Sequence, residues 1–126
     1  MRLPRDKEGY FQKQSPSWFA GWQDRYFVLK DRKLKYYKSN SPKDMEAPLG
    51  VLNFDHFMYC VDGLPSKPLQ FKVKIMGVQD RVFEFRTKTE GEAKAWKEEL
   101  TRHIENSEGY KHNKSAYTLK KPWKFD

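Results

Sequence analysis

From Gly9 to Phe85 apolar and polar residues alternate in short runs separated by turn chemistry. A period of two marks half-buried β-strands. Gly9-Tyr10-Phe11-Gln12-Lys13 and Gln23-Asp24-Arg25-Tyr26-Phe27-Val28-Leu29 predict the first two. Strand parity puts Phe11 and Lys13 on one face of the first, and Gln23, Arg25, Phe27 and Leu29 on one face of the second. Asp31-Arg32 turns the chain into Leu34-Lys35-Tyr36-Tyr37, where Leu34 and Tyr36 share a face. The polar stretch from Lys38 to Asp44 reads as a loop. Leu49-Gly50-Val51-Leu52 and Phe57-Met58-Tyr59-Cys60-Val61 are further strands, the latter closed by Asp62-Gly63 and the prolines 65 and 68. Leu69, Phe71, Val73 and Ile75 then alternate with Gln70, Lys72 and Lys74, and Val82-Phe83-Glu84-Phe85 follows after Gly77. Seven short strands with turn signals between them predict a sandwich or small barrel.

The period changes at Thr89. Thr89-Glu90-Gly91-Glu92 has the form of a capping box, and its two carboxylates suit the positive end of a helix dipole. Ala93, Trp96, Leu100 and Ile104 follow at spacings of three and four, one apolar stripe on an amphipathic helix. Glu98, Glu99 and Arg102 lie off that stripe, and Asn106 and Gly109 are stop signals. The reading divides the chain into an N-terminal arm (1–7), a body (8–108) and a basic, aromatic tail (109–126) with no assigned structure.

Composition adds the core and the charge. The 126 residues suffice for one domain, and an aromatic content of 16% argues against disorder despite a mean hydropathy of −0.99. Net charge is +8, unevenly spread. Residues 90–108 carry three Lys/Arg against six Asp/Glu, whereas residues 1–89 carry seventeen against ten. Such asymmetry orients a protein towards a polyanion. The single Cys60 allows no intrachain disulfide and fits a reducing, cytoplasmic setting. No run has the length of a membrane span, no signal peptide is visible, and Arg2 after Met1 gives no myristoylation signal. No catalytic grouping and no phosphate-cradling glycine loop is present, so an enzyme is not expected. His56 and Cys60 alone do not make a metal site, and no cofactor is expected.

A base near the loop end of each of the first two strands, Lys13 and Arg25, shares its face with phenylalanines. A cation aimed at the rim of an apolar interior is costly unless something anionic meets it. That placement predicts a phosphate-sized pocket.

Seven strands closed by one helix with a central Trp96, begun by Gly9-Tyr10-Phe11-Gln12-Lys13, resemble the pleckstrin homology (PH) domain from about Glu8 to about Glu105. The resemblance implies a mainly β, seven-stranded, two-sheet barrel or sandwich capped by one C-terminal α-helix. It places a headgroup site at the open end, among the loops between strands 1–2, 3–4 and 6–7. Phosphoinositide-binding members carry a Lys near the end of strand 1 and Lys/Arg-x-Arg at the start of strand 2. Lys13 and Arg25 match, whereas Gln23 replaces the middle base and brings hydrogen bonds without charge. Tyr36 matches a phosphate-contacting tyrosine of strand 3, and Lys38, Lys43, Lys74 and Arg81 extend the basic rim.

In the strand 1–2 loop Trp18 and Phe19 stand at the tip, the Trp suited to wedge into a leaflet. The expected function is membrane targeting: a peripheral module binding an anionic phospholipid headgroup, phosphoinositide or phosphatidic acid. The acylated PH-only proteins that sense phosphatidic acid are a further resemblance. The alternative is a PH-fold protein–protein interaction scaffold. Single-stranded nucleic-acid binding ranks third, because a five-stranded oligonucleotide barrel would not give seven strands and a terminal helix, and no nucleic-acid partner is expected.

Overall fold

A computed structural model describes residues 3–15, 21–77 and 81–119. The expected strands form: β1 (Lys7–Gln14), β2 (Trp22–Lys30), β3 (Lys33–Tyr37), β4 (Gly50–Asn53), β5 (Tyr59–Gly63), β6 (Gln70–Ile75) and β7 (Val82–Arg86). Helices α1 (Glu90–Glu105) and α2 (Glu108–Leu119) follow, and a short 3-10 turn, Asp44–Glu46, interrupts the β3–β4 loop.

β1 and β2 pair along their whole length, from Lys7↔Leu29 to Gln14↔Trp22. The Asp31-Arg32 turn between β2 and β3 has both residues at positive φ, 51° and 61°. The backbone twist of that turn suits a tight hairpin but is unfavourable for an arginine. Tertiary bonds offset the cost: the Arg32 amide donates to His103 Nδ1 at 3.1 Å, and its guanidinium pairs with Asp55 at 3.1 Å.

All strands are antiparallel neighbours in one sheet of order β4-β3-β2-β1-β7-β6-β5. The expected mainly β, seven-stranded architecture with its C-terminal helix is present, but the strands form one sheet that does not close into a barrel. The halves β1–β4 and β5–β7 meet only where Gln12 pairs with Arg86 and Lys13 with Phe85, and no pairing joins β4 to β5 among the described residues. Of the two edges, β5 lies against α1. β4 runs only four residues, and its Asn53 carbonyl accepts from the His56 amide.

The sheet wraps one aromatic core. Phe11 stacks on Phe27 with centroids 3.7 Å apart, Phe85 stands edge-on to both at 5.5 Å, and Trp96 of α1 lies 4.8 Å from Phe11. Each such ring contributes about 1.5–3 kcal/mol by leaving water. α1 starts as expected, with Thr89 Oγ1 accepting from the Glu92 amide at 3.1 Å, and buries Ala93, Trp96, Leu100 and Ile104. Beside that stripe it also buries Glu99 and His103. Both hold the N-terminal arm: Glu99 Oε2 accepts from the Arg5 amide at 2.9 Å, and His103 Nε2 donates to the Arg5 carbonyl at 2.7 Å. With Nδ1 accepting from Arg32, both ring nitrogens have partners.

α2 begins at Glu108, the last residue of the predicted body, and runs into the tail to which the residue pattern assigned no structure; Asn106 does end α1, but Gly109, expected as a stop, lies within α2. Ser107 Oγ accepts from the Tyr110 amide at 3.2 Å and donates to the Ile104 carbonyl at 2.6 Å. Asp55 accepts from the Glu108 amide at 3.0 Å. At Gly109 the helix backbone comes so near the Phe54 and Phe57 carbonyls that a Cβ would overlap both. These obstacles are main chain and cannot swing aside.

Burial raises the energy of the Asp55 carboxylate, but the Glu108 amide and Arg32 outweigh it and hold its pKa below the ordinary carboxylate range. The stability it lends is present above the ordinary carboxylate pKa and is lost as pH falls through the lower folded value. Asp55→Ala should cost about 0.5–2 kcal/mol in urea unfolding at neutral pH, and Gly109→Ala about 1–3 kcal/mol. Both should also speed amide exchange across α2, and unchanged exchange there would show that the helix is docked by other contacts.

Candidate anion-binding site

After Lys13↔Phe85 the β1–β7 ladder stops and the two strands part. The opening is a cavity of about 450 Å³ lined by Lys13, Gln14, Ser15, Tyr36, Arg81, Val82, Phe83 and Glu84. Strand parity directs Lys13 to the same face as Phe11, and it is buried, 8% exposed. Its ammonium sits 5.4 Å from the Tyr36 ring centroid and 3.3 Å from the Gln14 carbonyl. Neither Lys13 nor Arg25 pairs with a described carboxylate. Burial, reinforced by the Arg25 charge, lowers the Lys13 pKa from its ordinary value. Burial raises that of Tyr36 against the opposing charges of Arg25 and Arg81, so the phenol keeps its proton and can donate it to an anion. Arg81 also approaches the Phe83 ring at 5.8 Å.

The structure thus gathers Lys13, Tyr36 and Arg81 around one cavity. Arg25 is half-buried and donates to the Asp24 carbonyl at 2.8 Å, contributing its charge from beside the cavity. Gln23 is half-buried opposite Lys13 in the β1–β2 register and does not line the cavity. Lys38 and Lys43 are exposed on the β3–β4 loop and do not reach the wall. The reason is a clasp on the outer face of β1: the Tyr10 hydroxyl donates to Asn40 Oδ1 at 2.8 Å and accepts from the Asn40 amide at 2.9 Å. Lys74 is drawn elsewhere, its ammonium 2.6 Å from Asp62. Trp18 and Phe19 lie outside the described residues.

Gln14, Ser15, Val82, Phe83 and Glu84 escaped the residue pattern. They meet only because two strands distant in sequence separate at this point. Glu84 brings an acidic group to an otherwise basic wall and faces Lys72 in the β6–β7 register.

The PH domain family model matches residues 5–105. The chain belongs to the PH domain family, as its fold and resemblance indicate. It is 32% identical over 108 residues to a PH domain-containing protein of Dictyostelium discoideum, covering 86% of this chain and 23% of that protein. The chain therefore spans about a quarter of the length of that relative. Among solved structures, the PH domain of human oxysterol binding protein-related protein 11 superposes with a TM-score of 0.70 at 20% identity, covering 82% of this chain and 83% of that one. The C-terminal PH domain of pleckstrin, solved in complex with D-myo-Ins(1,2,3,4,5)P5, gives a TM-score of 0.59 at 22% identity over 75% of this chain and 93% of its own.

A lysine buried without a carboxylate destabilises the fold in its charged form. The penalty is full below the folded pKa of Lys13 and fades as pH rises through that value towards the ordinary one, so stability climbs over that alkaline window. Lys13→Met should gain on the order of 1 kcal/mol at neutral pH and flatten the climb. Thermal melts of both proteins from neutral to alkaline pH test this; a methionine variant less stable than wild type would contradict it.

Proposed function

We propose that this PH domain is a non-enzymatic membrane-targeting module that takes a phosphate monoester, borne by a phosphoinositide or by phosphatidic acid, into the cavity between β1 and β7. The observation that carries the reading is the Lys13 ammonium, buried beside Tyr36 in a cavity that Arg81 also lines and balanced, among the described residues, by a ring and a carbonyl. A phosphate there would gain a charged donor from Lys13, a hydroxyl donor from Tyr36 and the guanidinium of Arg81, each stronger for meeting an anion. Arg25 adds its field from the side. The pleckstrin domain solved with an inositol phosphate shares the fold and supports the same ligand class.

Glu84 on the wall and the uncharged Gln23 limit how many phosphates the site can neutralise. Lys38 and Lys43, on the β3–β4 loop, together with the overall charge of +8, draw the domain towards an anionic leaflet from outside the cavity. Trp18 and Phe19, between β1 and β2 in the sequence, would enter the interface once the headgroup is held. Bases near an anionic surface contribute about 1 kcal/mol each, so binding through this set is weak and salt-sensitive. Residence is peripheral, at the cytoplasmic face; no helix among the described residues is long and apolar enough to cross a membrane.

Co-sedimentation with phosphatidylcholine vesicles carrying either phosphatidic acid or a phosphoinositide tests the proposal. Lys13→Ala/Arg25→Ala should weaken pelleting about thirtyfold, from two bases at about 1 kcal/mol each. The wild-type signal should fall as salt rises. Equal pelleting of wild type and double variant on every composition would remove the cavity from the account.

A further inference from the structure

Gly50 opens β4 and stands opposite Tyr36 in the β3–β4 register. A Cβ at this position would overlap the Tyr36 hydroxyl, Cζ and Cε1. The phenol ring therefore lies across the bare Cα, a seat that any larger residue at 50 would deny it. The same ring carries the Lys13 ammonium on its face at 5.4 Å, and both side chains line the cavity. The Tyr36 ring thus touches Gly50 of β4 and the Lys13 ammonium of β1.

The requirement is steric and not conformational. The described glycines with positive φ are Gly21 and Gly77, so the backbone at Gly50 would accept alanine. What alanine would meet is the free end of a side chain, which can rotate away. The cost of substitution thus falls on the site, in contrast to Gly109, where main-chain carbonyls stand in the way.

We propose that Gly50 is a positioning residue of the cavity: its missing side chain seats the Tyr36 ring against β4, and the seated ring fixes the phenol hydroxyl and the Lys13 ammonium at the mouth. This deepens the headgroup reading and draws its functional weight from it, but the geometric claim has a readout of its own.

The test places Gly50→Ala in the wild-type and in the Tyr36→Ala backgrounds. The Lys13 side chain is titrated by NMR, and pelleting is measured on phosphatidylcholine vesicles carrying either phosphatidic acid or a phosphoinositide. Gly50→Ala should move the Lys13 titration up towards that of an exposed lysine. It should also weaken pelleting about fivefold, the share of one misplaced base. Both effects should vanish in the Tyr36→Ala background, where no ring needs the seat. An unchanged Lys13 titration in Gly50→Ala overturns the proposal, as does an equal shift with and without the Tyr36 ring. A shifted titration in a protein whose wild type ignores the vesicles upholds the positioning and overturns the headgroup reading instead.

Discussion

The junction of β1 with β7 is the constraint on which the rest depends. Two residue pairs, Gln12↔Arg86 and Lys13↔Phe85, join two halves of a sheet that otherwise meet only through their side chains. Because the junction is so short, the halves can fold towards each other, and Phe11, Phe27 and Phe85 close the space between them. Because it ends at Lys13, the next residues of each strand diverge and leave a cavity beside a buried cation. Core and site are two sides of one interruption in the ladder.

The price of that arrangement is visible at Lys13. Its neighbours are a ring face and a carbonyl, which attract a cation without cancelling its charge. An arriving anion has no described carboxylate to displace from it. PH domains share this scaffold widely, so what distinguishes this member lies in the residues around the opening and not in the fold itself.

Most of the fold was legible in the chain. Alternation located all seven strands, and Thr89 with its apolar stripe located α1, because those signals are local and of regular period. Face assignments for Phe11, Lys13, Phe27 and Leu29 followed from parity alone. α2 was not legible, since Gly109-Tyr110-Lys111-His112-Asn113 carries no apolar period; Asp55, Ser107 and a main-chain approach at Gly109 fix it instead. The open sheet was missed because strand count does not reveal whether the ends pair. Of the eight headgroup candidates read from the residues, Lys13, Tyr36 and Arg81 line the cavity. The departures of Lys38, Lys43 and Lys74 depend on Tyr10 clasping Asn40 and on Asp62, contacts that no spacing announces.

An unclosed sheet exposes its flanks to neighbours in a crowded solution, where backbone groups in search of partners invite strand-by-strand growth. Here one flank lies against α1, and the other offers only the four residues of β4, with the Asn53 carbonyl already engaged. Another chain docking alongside would find too few free amides to repay its own ordering. The molecule thereby tolerates an open architecture, and the split that admits a ligand at one end does not become a seed for aggregation at its margin.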